Sequence, residues 1–239
     1  MADNRESNYS QGTIPMKVIA HIRTDFPSKF GVPRQSGLVN ALRGTIIFEA
    51  EYRNIDALRG LEDFSHIWLV WQFSKVVGDG FSPTVRPPRY GGNKRMGVFA
   101  TRSPFRPNPI GLSSVKLDRI ELDSVHGPVL HISGVDLVDK TPILDIKPYL
   151  PYTDCHIDAR GGYTDYLNDN IIEVEFSEEL LQLIPDDKQS ALIGALAHDP
   201  RPSYQKDSDR IYGMQFGEFD IRFTVKNKIL IVREVVPLY

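Results

Sequence analysis

"SSVKLDRIELDSVHGPVLHISGVDLV", residues 113–138, contains two short runs rich in β-branched residues, 113–122 and 128–138, separated by turn residues that include Asp123 and Gly127. Branching at Cβ stiffens χ1 and suits a pleated surface, so both runs predict strands. The same pattern extends outward in "PMKVIAHIRT" (15–24), "GTIIFEAEY" (44–52), "HIWLVWQF" (66–73) and "MGVFAT" (96–101). Glycine, proline, asparagine and aspartate punctuate the gaps. In this half only "IDALRGLEDF" (55–64) carries a helical signal, with apolar residues at 55, 58, 61 and 64. A parallel doubly wound sheet needs crossovers of a dozen or so residues between strands, and these are missing. Residues from about 15 to 150 therefore read as a β-barrel-like domain, with 1–160 as its bounds.

Beyond it the character changes. "PYTDCHIDARGGYTDY" (151–166) is turn-rich and reads as an exposed linker. A strand is expected over 171–176, then a helical stretch over 177–199 capped by Ser177, with Glu178 and Glu179 in its first turn. Pro185 should split that stretch in two. Residues 211–237 read as strands with a hairpin turn at Lys226-Asn227-Lys228. The fold class is thus mainly β: a single-sheeted barrel followed by a small α+β domain, 161–239. A chain ending near Tyr163 is expected to keep the barrel.

The chain has 239 residues, 41% hydrophobic and 25% charged, with a net charge of −3. This suits a globular protein with a real core. No run approaches the roughly 18–20 apolar residues of a membrane span. The N-terminal stretch is polar and lacks a hydrophobic signal core. Cys155 is the single cysteine and no Cys/His cluster has metal spacing, so a cytoplasmic protein without metal is expected. Dinucleotide, phosphate-loop, serine-hydrolase and zinc-protease motifs are absent.

Charge is unevenly placed. Residues 80–116 contain no Asp or Glu but hold Arg86, Arg89, Lys94, Arg95, Arg102, Arg106 and Lys116. Such a sector either binds an anion or pairs with carboxylates elsewhere in the fold. Within it lies "ATRSPFRPNPIGLSSVKL" (100–117), whose Pro104, Pro107 and Pro109 leave little freedom from Ser103 to Ile110. A flexible linker would use glycine and serine; this element is built to hold Arg102, Arg106 and Asn108 in place. Asp136, Asp139 and Asp145 could supply carboxylate chemistry or could cap loops.

"FATRSPFRPNPIGLSSVKL" with "PRQSG" (33–37), "GLEDFSHIWLV" (60–70), "RPPR" (86–89), "DLVDKTPILDIKPYLPY" (136–152) and "DPRPSY" (199–204) resembles the TsaA/TrmO family, in order and over nearly the whole chain. That resemblance implies a dimeric, S-adenosylmethionine-dependent tRNA methyltransferase. Members act on the exocyclic N6 of threonylcarbamoyladenosine next to the anticodon of threonine tRNA. It further implies cofactor contacts from Pro33, Arg34, Gln35, Phe73, Ser74, Arg102, Leu112, Ser133, Gly134, Val135 and Asp136. Position 74 is histidine in several relatives, and Phe73 could equally be core. Arg102 suits the cofactor's carboxylate, because a guanidinium is a fixed fork.

Methyl transfer from a sulfonium is an in-line displacement, so alignment by a stiff frame is the protein's main task. An acceptor for the N6 proton would help, and Asp136, Asp139 and Asp145 are candidates in that order. Arg86, Arg89, Lys94, Arg95, Arg106 and Arg201 could meet tRNA phosphates. Tyr149 and Tyr152 could stack the target base or pack against the C-terminal domain. The competing readings are a non-catalytic RNA-binding module and a same-fold methyltransferase acting on another nucleotide or a small molecule.

Overall fold

The structure is a computed structural model that describes residues 12–76, 80–87, 94–166, 171–201 and 207–238. Six strands close a barrel. In chain order the first strands are β1 (Ala20–Thr24), β2 (Arg43–Phe48) and β3 (His66–Gln72). A two-stranded ribbon, β4 (Thr84–Val85) with β5 (Met96–Gly97), lies outside the barrel wall. Then come β6 (Ile110–Ser124), β7 (Gly127–Ser133) and β8 (Pro142–Pro148). The barrel runs β1-β2-β7-β6-β3-β8, and every neighbouring pair is antiparallel. Closure leaves no free edge.

Alternation along the strands fills the interior. Ile67, Leu69 and Trp71 of β3 are buried, as are Ile22 of β1, Ile46 of β2, Leu130 and Ile132 of β7, and Ile143 of β8. Several expected strands are shorter in the structure: 15–24 is extended only over Ala20–Thr24, and 44–52 ends at Phe48 before a 3-10 turn, Ala50–Tyr52. Over 96–101 only Met96–Gly97 is extended, and the chain then coils into a 3-10 turn, Val98–Ala100, fastened by the Thr101 hydroxyl on the Val98 carbonyl. The run 128–138 stops at Ser133, because Gly134 enters the left-handed region at φ 75°. The helical signal at 55–64 resolves into two 3-10 turns separated by Gly60 at φ 83°.

After a four-residue helix α1 (Pro151–Asp154) comes β9 (Glu173–Glu175). Helices α2 (Glu178–Leu181) and α3 (Asp186–Ala197) follow, then β10 (Tyr212–Phe216), β11 (Phe219–Lys226) and β12 (Ile229–Pro237). Ser177 caps α2 by accepting from the Leu180 amide, and Pro185 separates the helices as expected. Asn227 and Lys228 both take positive φ, the requirement of a type I′ turn between β11 and β12. The strands form a sheet ordered β10-β11-β12-β9. Ala191, Leu192, Ala195 and Leu196 are the buried face of α3.

This second unit is fused to the barrel through a continuous core. The Phe26 and Phe216 rings meet edge to face at 5.4 Å. A Cβ on Gly194 of α3 would come within 2.5 Å of the Val39 side chain, and one on Gly31 within 2.2 Å of that of Met214, so at both glycines the backbone of one unit takes a side chain of the other. Lys188 pairs with the Asp25 carboxylate, while the Gly217 amide donates to the Asp25 carbonyl at 2.7 Å.

Candidate active site

At one end of the barrel, loops after β1, β3 and β7 meet the proline-rich run that leads into β6. They enclose a cleft of about 1250 Å³ whose far side is formed by Ala195, His198, Asp199 and Arg201. This exceeds the roughly 300–1,000 Å³ of an ordinary small-molecule pocket and has room for two ligands meeting.

The proline-rich run is stitched in place. The Arg106 amide donates to the Pro104 carbonyl at 2.8 Å and the Phe73 amide to Pro109 at 2.8 Å. The Arg106 guanidinium folds back onto the Thr101 carbonyl at 3.0 Å. Arg106 therefore braces the run that presents Arg102. Arg102 is exposed, lines the cleft and donates to Gln35 Oε1. Gln35 in turn donates to the Arg34 carbonyl, which fixes the orientation of its amide.

Behind Arg102 lies a buried polar chain. Trp71 Nε1 donates to Ser113 Oγ at 3.0 Å, and Ser113 donates to Asp136 Oδ1 at 2.7 Å. Burial pushes the Asp136 carboxyl up to about 6, against the pull of the Ser113 hydroxyl, the Asp136 and Ser36 amides and the Arg102 charge. A carboxylate with that value is mostly ionised near neutrality yet can accept a proton. The Trp71 indole reaches Ser113 only because Gly111 lies opposite it in the ladder; a Cβ there would stand 2.2 Å from the ring. Trp71, Ser113 and Gly111 were not among the residues singled out from sequence.

The cleft brings together Pro33, Arg34, Gln35, Phe73, Ser74, Arg102, Leu112 and Asp136, with Arg86, Arg106 and Arg201 also on its walls. Phe73 meets both expectations for it: its ring meets that of Trp71 at 4.3 Å in a tilted contact and packs on the core, and it also lines the cleft. Ser133, Gly134 and Val135 lie one layer behind. Ser133 donates to Asp118, Val135 is core, and the Gly134 carbonyl accepts from Gly37 at 2.9 Å, which anchors the Gln35 loop.

Other expected residues lie elsewhere. Asp139 accepts from the Thr24 amide and pairs with Arg23, so it caps a strand end. Asp145 accepts from the Ile146 amide and pairs with Lys147 on the barrel wall. Neither carboxylate lines the cleft, because each is already used to fasten local backbone. Tyr149 packs on Trp68 and His66 and does not line the cleft, and Tyr152 is 86% exposed. Lys94 does not line the cleft, and Arg95 braces the ribbon through Thr84. Arg201 does line the cleft, where both oxygens of Asp199 hold it, at 2.8 and 2.9 Å. Arg89 and the end of "DPRPSY" lie outside the described residues. Among the described residues Lys116 pairs with Asp118, whereas Arg86, Arg95, Arg102 and Arg106 form no ion pairs with carboxylates, which favours the anion-binding alternative for these four arginines.

A closed antiparallel barrel with a rigid, arginine-bearing cleft at its end and a shielded carboxylate beneath it defines a barrel enzyme with a cofactor-sized site. The chain belongs to the tRNA-methyltransferase O (TrmO) family: the model of the N-terminal domain matches residues 21–155 and that of the C-terminal domain residues 169–238. It is 43% identical to the tRNA (adenine(37)-N6)-methyltransferase of Escherichia coli K12 over 217 residues, 87% of this chain and 91% of that protein. A Pseudomonas aeruginosa relative named for S-adenosylmethionine-dependent methyl transfer is 42% identical over 213 residues, 86% of this chain and 90% of that one. The crystal structure of TrmO from P. aeruginosa superposes with a TM-score of 0.77 at 35% identity, covering 96% of this chain and 99% of that one.

Proposed function

We propose that this chain methylates tRNA, using S-adenosylmethionine to modify N6 of threonylcarbamoyladenosine at position 37 of threonine tRNA. Family membership and the E. coli relative support methylation of adenine 37. The Arg102–Gln35 pair above the shielded Asp136 carboxylate is the observation that carries the chemistry.

The residues present suit the cofactor. Arg102 offers a guanidinium fork to a carboxylate. Phe73, Leu112 and Pro33 supply apolar surface, and the Asp136 carboxylate lies within the same cleft. When bound, S-adenosylmethionine supplies an electrophilic methyl group. The protein's share is alignment by the proline-stiffened run and exclusion of water, which together can replace much of the entropic cost of the displacement. The nitrogen of threonylcarbamoyladenosine shares its lone pair with ring and carbonyl, so removal of its proton must accompany attack. Asp136 is the acceptor in this reading, with Ser113, itself held by Trp71, donating to its Oδ1. The barrel domain then spans 1–160 with 161–239 completing the cleft, and the enzyme works as a cytoplasmic homodimer.

The test is methylation of threonine tRNA with and without the threonylcarbamoyl group, alongside calorimetry with S-adenosylmethionine and light scattering for the dimer. Methylation of both tRNAs at equal rates would remove the threonylcarbamoyl specificity. Cofactor binding without tRNA methylation would point to another substrate on the same fold.

A further inference from the structure

Beside the first cleft, and sharing Arg86 and Arg102 with it, is a second chamber of about 1460 Å³. Arg95 and Arg160 join those two on its walls, and among the described lining residues there is no carboxylate side chain. Arg160 belongs to the turn-rich segment after α1, far in sequence from the basic sector. That segment is a built turn rather than a loose tether. The Asp165 carboxylate accepts from the Gly161 amide at 3.0 Å, and Thr164 Oγ1 donates to the Gly161 carbonyl at 2.7 Å. A Cβ at Gly161 would fall 2.2 Å from Asp165 Oδ1, so a larger residue would displace the carboxylate that closes the turn. Asp165 is thereby occupied by backbone, and exposed Arg160 makes no ion pair among the described residues. Across the chamber Phe99 is 75% exposed, a large apolar ring left in water.

We propose that this second chamber is the path of the single-stranded RNA flanking the methylated nucleotide, with Arg160 meeting a phosphate and Phe99 stacking a base. Guanidiniums that follow a backbone, beside an exposed aromatic face, are what single strands require, because each nucleotide offers one charge and one π surface. An acidic peptide would satisfy the arginines and leave Phe99 bare. The position also fits the substrate geometry, since a strand in this chamber passes Arg102 at the mouth of the first cleft. The inference rests on the tRNA methyltransferase reading and adds to it the strand's route and the role of the 160–164 turn.

The experiment measures binding of a hairpin RNA carrying the threonine anticodon loop, by fluorescence anisotropy across a salt series, to full-length wild type, Arg160→Ala and Phe99→Ala. Thermal melts and S-adenosylmethionine calorimetry are run on the same samples. Arg160→Ala should weaken binding and lower the slope of log affinity against log salt by about 0.7–0.9, the loss of one phosphate contact. Phe99→Ala should weaken binding about fivefold or more at every salt concentration, with the slope unchanged. Cofactor affinity should not move in either variant. RNA binding equal to wild type in both variants, or a loss of cofactor affinity, would overturn the assignment. Failure of the parent reading looks different: wild type would bind the hairpin with these sensitivities yet transfer no methyl group to tRNA.

Discussion

Replacing Asp136 by asparagine separates the cost of burying this carboxylate from its use. Burial raises its titration from an ordinary 3.8 to about 6. The folded chain therefore holds that proton more tightly than the unfolded chain does. The stabilising contribution is fully present below about pH 4 and is lost as pH rises through about 6. The gap between the two values corresponds to about 3 kcal/mol, of which about 2 kcal/mol is lost between pH 4.5 and 8. The amide of the Asp136→Asn variant would not titrate, so the variant should gain about 2 kcal/mol on wild type over that range. Any fixed effect of altered bonds to Ser113 and Ser36 shifts the whole curve without changing its slope. Urea unfolding followed by the fluorescence of Trp68 and Trp71 at a series of pH values reads the difference. In the same samples wild-type methylation should rise as pH increases through about 6, whereas the variant should lose about 100-fold or more of its turnover. Parallel stability curves would refute burial as the cause of the raised value. Undiminished turnover would refute the acceptor role.

Gly111→Ala should force the Trp71 ring off Ser113 and destabilise the barrel by about 1–3 kcal/mol through overpacking, seen as a lower Tm and shifted tryptophan emission. Arg102→Ala should weaken S-adenosylmethionine binding in calorimetry while leaving the Tm within a few degrees, since the side chain is exposed and its partner Gln35 is at the cleft. Ending the chain near Tyr163, which the sequence suggested would leave a sound barrel, should instead give aggregate, because Phe26, Val39 and Gly31 lose Phe216, Gly194 and Met214. A soluble, cofactor-binding truncated form would show that the shared core is dispensable.

The strands most visible in the sequence are those that are either continuously apolar or alternate apolar with polar residues, free of internal proline. Residues 66–73 and 113–122 both fall largely within barrel strands. The strand that closes the barrel escaped notice. β8 begins and ends with proline, Pro142 opposite His21 and Pro148 opposite Ile67, and carries Asp145 and Lys147 between. Proline inside a run argues against a strand, but at the terminal pairs its missing donor costs the ladder little. In place of β8, residues 96–101 looked like a strand on composition alone and supply only two extended residues to an outlying ribbon. Local propensity cannot distinguish these cases, because closure depends on which strands find two partners.

The site divides along the same line. Arg102 and the Pro33-Arg34-Gln35 loop could be recognised because their neighbours in sequence are their neighbours in space. Trp71 and Ser113 could not: alone, each is an ordinary residue of a strand. What joins them is register, since β3 and β6 pair Leu69 with Ser113 and Trp71 with Gly111. Both side chains thereby fall in the inward row, one step apart on the diagonal, where an indole can cross a glycine. A one-residue slip would send Ser113 outward and leave the Asp136 carboxylate without its hydroxyl donor. The polar chain under the cleft is thus a product of barrel closure, and the pairing that fixes the fold is also what holds the candidate proton acceptor in place.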